Sequence, residues 1–382
     1  MVVSAFFLAE KKGMLGRSID SGILSLVAGF VFGHAITLIC DVEISILFSS
    51  SSKWALAASL PLLLLNPKLR RLLRDAGSIV WLFHVSIVGV VLGSLLVYYF
   101  CLVEHKDAEA IISVLSGSYS GGTVNFMAVR ERVELPASTA TSLYVADSLV
   151  MATIFVFLFK LRLNSRLNDL FPRRESSTEL TDLEYVPEVS YGQRCFEMIT
   201  VCACTIVIAT LGFYLADKSS VFLELDYWPM LAQNIVGSFA FWITLISICA
   251  SVLIPTKFVF VADREGLAIV LLNFYLFSVG VEAKLESLLN LPKFVLICAA
   301  IAFVNLLVTF LGATIMKANG RNVSLDEILL AVNASLGGPG TAAAMAARCG
   351  DSSLVASSTL VGVWGYAVGT IVGLSVYNLL KT

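Results

Sequence analysis

Apolar residues run through this chain in blocks too long and continuous for a soluble core. Blocks at about 22–40, 78–101, 136–159, 195–215, 230–254, 266–281, 292–316 and 353–379 approach the roughly 20 residues a helix needs to cross the hydrocarbon core. A shorter block, 54–66, contains Pro61 and ends at Asn66-Pro67, which predicts a kinked crossing. Two more segments, 108–129 and 326–347, are apolar at their ends but crowded with small polar residues in the middle. Trp54, Trp81 and Trp228 sit at block ends, where an aromatic belt places them. The longest polar stretch, 160–193, mixes both charges and includes Pro172 and Pro187. It reads as a flexible loop joining two halves.

Composition agrees with a bilayer environment. Of 382 residues, 58% are hydrophobic and only 14% charged, against roughly 25% charged in soluble domains. An integral membrane protein is expected, with the choice between plasma membrane and an organelle membrane open. A formal net charge of −2 excludes a strongly basic nucleic-acid binder. The three histidines, His34, His84 and His105, are too scattered for a metal cluster. The cysteines are scattered too, and Cys202 and Cys204 form a lone C-x-C with no second pair. They are expected to be small packing residues in helices. The N-terminal run "MVVSAFFLAEKKGMLGR" is too short to span and reads as the stump of a longer helix or an added start.

The two halves resemble each other. "GGTVNFMAVR" at 121–130 aligns with "PGTAAAMAAR" at 339–348, so that Gly122, Thr123, Met127, Ala128 and Arg130 meet Gly340, Thr341, Met345, Ala346 and Arg348. Further on, "LPASTATSL" answers "LVASSTLVG". The order of segments also repeats. Residues 1–160 form an N-terminal repeat, 161–193 a polar linker and 194–382 a C-terminal repeat. Secondary transporters are commonly built this way, with discontinuous helices at matching positions.

Lysine and arginine counts choose between two topologies. If both interrupted segments cross fully, the 26 Lys and Arg divide evenly between the two sides. If both are hairpins that enter and leave on one side, eighteen of the 26 fall inside and eight outside, as the positive-inside rule requires. Five crossings then separate equivalent points of the halves, so the second repeat is inverted. The hairpins dip in from opposite sides and their tips can meet near the midplane. The expected fold is therefore an all-α polytopic membrane protein of two inverted repeats. It has about nine to eleven membrane segments, two of them interrupted.

Backbone that leaves helical geometry at membrane depth must be buried in protein or line a wet cavity. Gly121-Gly122 and Gly337-Gly338-Pro339-Gly340 are strong interrupters. Each break frees N–H groups at one new terminus, which attract anions, and carbonyls at the other. The first tip supplies Ser118, Ser120, Thr123 and Asn125, and the second Asn333, Ser335 and Thr341. The plain alternative is helix–helix contact through small residues. Ser324-Leu-Asp-Glu327 reads as a capping box that starts the second segment, and Asp107 as the start of the first.

Asp147, in "YVADSLV", lies within a span. Intramembrane acids are costly, so it is the candidate coupling-ion ligand or proton carrier. Its alternative is a packing role, bonded to Thr141, Ser142 or Ser148. His84 and Asn273 are expected to pack or hydrogen-bond. Trp364 and Tyr366 either line a cavity or pack.

The motifs "GGTVNFMAV" before "VADSLV", and "NASLGGPGTAAAMAA" before "LVGVWGYAVGT", resemble the membrane-protein family catalogued as domain of unknown function 819, the YjcL-like family. The likeness spans nearly the whole chain. That family is similar in turn to the cation–proton antiporters and anion symporters, which have inverted repeats and broken or hairpin helices at the ion and substrate site. The resemblance implies roles for Gly121, Gly122, Thr123, Asn125, Asp147, Asn333, Gly337, Gly338, Pro339 and Thr341. Members usually carry a further apolar helix at the N-terminus.

These observations predict a secondary active transporter that moves a small, anionic solute with Na⁺ or H⁺ by alternating access. The hairpins with helices 136–159 and 353–379 form the core, and the other helices a scaffold. A channel and a non-transporting structural membrane protein are the competing functions. No Ser/His or paired-carboxylate set points to an enzyme. No cofactor is expected, and no metal beyond a Na⁺ near Asn125 and Asp147. The expected partners are a small solute or ion, the lipid bilayer and, as an open alternative, a second copy of the chain.

Overall fold

A computed structural model describes residues 21–40, 45–65, 77–173, 191–223, 235–253, 263–282, 291–349 and 352–381. The N-terminal run, Trp228 and linker residues 174–190 lie outside the described residues. All regular structure among the described residues is helical, in thirteen helices. In chain order these are α1 Ser21–Cys40, α2 Ser45–Leu64, α3 Gly77–Val97, α4 Ala108–Ser118, α5 Thr123–Val133, α6 Ala137–Arg162, α7 Ser165–Leu170, α8 Tyr191–Leu223, α9 Phe239–Leu253, α10 Asp263–Glu282, α11 Leu291–Ala318, α12 Leu325–Cys349 and α13 Ser352–Lys381. A π turn, Tyr98–Leu102, extends α3.

Five stretches are long and apolar enough to cross a membrane: Gly77–Leu102, Ala137–Arg162, Cys195–Ser219, Leu291–Ala318 and Ser357–Lys381. Shorter apolar helices lie at Leu24–Ile36, Ala108–Ser118, Phe239–Leu253 and Gly266–Val281. Each apolar block of the sequence thus falls on a helix. The main boundary difference is α2, which starts nine residues before Trp54. Four serines and Lys53 interrupt its apolar pattern, and Lys53 is half exposed while pairing with Glu131 at 2.8 Å.

Outer faces are apolar. Val88, Leu92 and Leu96 on α3, and Phe303, Leu307 and Leu311 on α11, are exposed at helical spacing. Such stripes suit contact with lipid. Cys101, Cys195, Cys204 and Cys249 also face outward, whereas Cys298 is buried. Most described cysteines are therefore not packing residues.

The helices pack in two groups. In one, α10 lies between α1 and α2, with α8 and α9 alongside. Gly29 of α1 lets the α10 backbone come so close that a Cβ there would sit 2.0 Å from the Phe277 carbonyl oxygen. In the other, α3 and α11 pack together and between them meet α4, α6, α12 and α13, while α5 packs on α4 and α13. This differs from the expected division, because α3 and α11 belong with the interrupted helices. Their polar interior explains it: Asn305 of α11 donates to the Ser86 carbonyl at 2.8 Å and to its hydroxyl at 2.7 Å.

Bonds at the helix ends orient the interrupted segments. Ser78, at the start of α3, donates to Glu327 at the base of α12, 2.6 Å away. Arg162, at the end of α6, grips Asp326 with two bonds of 2.7 and 3.3 Å. The start of α3, the end of α6 and the base of α12 thus share one end of the bundle. The far end of α3 leads into α4, and α6 starts just after α5. The α4–α5 segment therefore enters from the other end.

The first part of the linker is not simply a loop. Asn164 caps α7 by accepting from the Leu167 N–H at 3.3 Å. The Phe171 carbonyl accepts from the Leu325 N–H at 3.3 Å, at the base of α12.

Candidate functional site

Helices α4 and α5 form a hairpin. Helix α4 ends at Ser118, a short turn follows, and Gly122 takes φ 88° and ψ −174° before α5 begins at Thr123. That region is open essentially to glycine alone. Helix α5 then runs back beside α4: a Cβ on Gly117 would lie 2.8 Å from a Val129 methyl and 3.5 Å from the Asn125 carbonyl oxygen.

Helix α12 does the same at Gly338, with φ 76° and ψ −170°. The return is visible in Asn333, whose amide reaches the Thr341 carbonyl at 3.2 Å and the Met345 sulfur at 3.3 Å. In a straight helix residues 333 and 345 would lie about 18 Å apart along the axis. Thr341 donates back to the Gly338 carbonyl at 3.2 Å. The break falls at Gly338 rather than Gly340, so the two tips match by conformation two residues out of the sequence alignment. The reason is Pro339. With no N–H and a preset φ, proline suits the first position of the returning half-helix, so the break must precede it.

The two tips touch. A Cβ on Gly122 would lie 3.3 Å from the Gly338 Cα, and one on Gly338 would lie 3.5 Å from the Gly121 carbonyl oxygen. Ser335 donates to the Tyr119 carbonyl at 2.7 Å and so ties the second hairpin to the first tip. Asn305 closes the chain from below at 3.4 Å from Ser335. Tyr366 of α13 reaches the same point, within 3.7 Å of the position of a Gly338 Cβ.

Helix α13 seats the first hairpin through glycines at i, i+4 and i+8. A Cβ on Gly121 would sit 2.0 Å from the Gly365 carbonyl oxygen, and one on Gly369 2.4 Å from the Asn125 amide nitrogen. Gly373 meets Val129 and Gly117 in the same way. Asn125 donates to the Gly365 carbonyl at 3.1 Å and accepts from Thr370 at 2.9 Å. Its amide is therefore spent on α13, and it shares no hydrogen-bond partner with Asp147.

Asp147 is buried, 5% exposed, on α6. Ser118 donates to its Oδ2 at 2.8 Å, whereas Oδ1 has no hydrogen-bond partner. The Tyr119 hydroxyl and the Cys298 thiol lie beside the carboxylate without closing that bond. Among the described residues no Lys, Arg or His pairs with it. One turn on, Met151 lies against Gly337, so α6 flanks both tips.

The structure thus brings Ser118, Gly121, Gly122 and Asp147 to the first tip, with Ser335, Gly337, Gly338 and Pro339 at the second. Ser120 is buried there, its hydroxyl without a partner. Thr123 starts the first returning half-helix and Gly340 follows Pro339 in the second, while Asn125, Asn333 and Thr341 bond within the framework of the tips. The capping box forms as expected: the Ser324 N–H donates to Glu327 at 2.9 Å and the Glu327 N–H to the Ser324 hydroxyl at 3.3 Å. Asp107 precedes α4 without a side-chain cap bond. Trp364 donates to His84 at 3.3 Å and Asn273 to Ser21 at 3.0 Å, so both polar residues hydrogen-bond. The sequence argument missed Tyr119, Cys298, Asn305 and the glycine row on α13. Only the glycine row had a signal, its four-residue spacing.

Comparison with known proteins agrees with the membrane character. The family described as "Protein of unknown function (DUF819)" matches residues 1–382. The chain is 27% identical over 366 residues to "Uncharacterized membrane protein YjcL" of Bacillus subtilis (strain 168), covering 95% of this chain and 90% of that one. The chain belongs to the DUF819 family and is an integral membrane protein.

Proposed function

We propose that this DUF819 membrane protein is a secondary active transporter. It moves a small, anionic solute by alternating access, coupled to H⁺ or Na⁺. The observation that carries the proposal is the meeting of two oppositely entering hairpins at Gly122 and Gly338, beside a buried carboxylate with no cationic partner among the described residues. Half-helices start at both tips, and their free N–H groups and positive dipole ends suit an anionic group. Asp147 supplies a carboxylate at the first tip, as ion coupling needs.

The same features support two inverted repeats within nine to eleven membrane segments. A glycine of the same conformation breaks each hairpin, and the hairpins enter from opposite ends. The moving core is then α3–α6 with α11–α13. The group around α10 is the scaffold, and contact between the groups is thinner than within either. We assign no catalytic residues and no cofactor.

Uptake of a panel of labelled small organic anions into proteoliposomes, under imposed pH and Na⁺ gradients, tests the proposal. Saturable, gradient-driven uptake is expected. Flux that never saturates would indicate a channel. No flux of any solute, with Gly122→Ala and Thr341→Val altering only assembly, would indicate a structural protein.

A further inference from the structure

We infer that the coupling ion is a proton, held on Asp147 and shared with the Tyr119 hydroxyl and the Cys298 thiol behind the tip of the first hairpin. The inference rests on the transport proposal and names the ion for the same site.

Asp147 Oδ1 and the Tyr119 hydroxyl are both buried and both without a hydrogen-bond partner. The groups facing the carboxylate are Ser118 and Tyr119 from the hairpin and Cys298 from α11. Hairpin 2 brings only Gly337, against Met151 on the next turn. No Lys, Arg or His among the described residues faces it. An ionised carboxylate in that setting costs several kcal/mol unless something neutralises it.

A proton on Oδ1 removes the charge and creates a donor. When the first tip shifts to bring Tyr119 into reach, that O–H donates to the Tyr119 oxygen and the phenolic hydrogen turns to the Cys298 sulfur. Neither orphaned atom has a partner within hydrogen-bond geometry before that shift. A Na⁺ would need several oxygens to replace its hydration shell. The described side chains that face the carboxylate are one serine, one phenol and one thiol, the last a soft ligand unsuited to a hard cation.

Protonation also reaches the hinge. Ser118 is the last residue of α4 and Tyr119 its cap, three residues before the turn at Gly122. An ionised Asp147 attracts both hydroxyls as donors, whereas a protonated one makes Tyr119 an acceptor. Loading or losing one proton therefore changes the bonding of the tip that touches Gly338.

Infrared difference spectroscopy of the full chain in nanodiscs, stepping pH in H₂O and D₂O, tests this. The expected result is a protonated-carboxyl C=O band that responds to D₂O and is lost in Asp147→Asn. In Tyr119→Phe the band shifts because its acceptor is gone. Should Asp147→Asn fail to elute as a monodisperse species, the shifts in Tyr119→Phe and Cys298→Ala decide instead. Absence of the band in the wild type would overturn the inference. So would a band that saturating Na⁺ abolishes while raising Tm in the wild type but not in Asp147→Asn. A band without flux of any solute would keep the proton seat and overturn the transport proposal. Flux driven by Na⁺ with no band would do the reverse.

Discussion

Hairpin 1 turns at Gly122 with φ 88° and ψ −174°, and hairpin 2 at Gly338 with φ 76° and ψ −170°. Their surroundings differ. The first is gripped along its length, by Gly365, Gly369 and Gly373 and by the two bonds of Asn125 to α13. The second is gripped at its base, where Glu327 closes the capping box and Asp326 holds Arg162, and at its turn, where Gly362 of α13 brings Pro339 to within 2.5 Å of a Cβ position. Chemistry is divided too. Hairpin 1 carries Ser118 and Tyr119 to Asp147, whereas hairpin 2 brings Ser335 to the Tyr119 carbonyl. The same backbone turn thus serves two mechanical roles. One hairpin is held by α13 along its returning half, and the other is held by α13 near its turn and anchored at the bundle end, with its tip resting on the first.

That contrast can be broken most severely at Gly121. A methyl group there would meet the Gly365 carbonyl oxygen at 2.0 Å and the Asn125 nitrogen at 2.4 Å. Backbone cannot yield as a flexible side chain can, so Gly121→Ala is expected to cost about 3 kcal/mol or more. A large fall in Tm of the purified protein checks it. An unchanged Tm would mean that α13 does not grip the first hairpin.

The shared turn comes next. At Gly338 a Cβ has room, with nothing nearer than 3.5 Å, so Gly338→Ala isolates the conformational cost, about 1–3 kcal/mol. Gly122→Ala should cost the same plus a small contact term, since its nearest neighbour is at 3.3 Å. Denaturation of the two variants side by side measures this. A Gly338→Ala protein as stable as the wild type would contradict a break at that glycine.

The smallest expected effect lies at the base of hairpin 2. Ser324→Ala removes one side of the capping box and should cost about 1 kcal/mol. Unfolding of that variant is expected to lower Tm modestly, and uptake should persist once the protein is folded. Loss of uptake in a stable Ser324→Ala protein would contradict an anchoring role.

Much of the fold was legible because a bilayer demands long apolar runs and exposes any departure from them. The two interrupted segments stood out by Gly-Gly and Gly-Gly-Pro-Gly, and the Ser324–Glu327 box marked a helix start correctly. The start of α2 did not, because serines and Lys53 look like a loop until Lys53 is seen paired with Glu131 at one end of the bundle. Asn125 looked like an ion ligand because polarity alone cannot say whether an amide faces a cargo or a neighbouring backbone. Tyr119 was silent for a related reason: a tyrosine in an apolar run reads as packing until its hydroxyl is found beside a carboxylate. Asp147 was legible from cost alone, since a lone acid at membrane depth needs a reason.

Asp147 also provides the most direct test. Charge displacement on a solid-supported membrane, with solute applied under a pH gradient, should show a saturable transient for the wild type. Asp147→Asn, folded and monodisperse, should abolish the gradient-driven signal. An undiminished transient in Asp147→Asn would contradict the claim that this carboxylate, beside the meeting point of the two hairpins, couples the ion to the cargo.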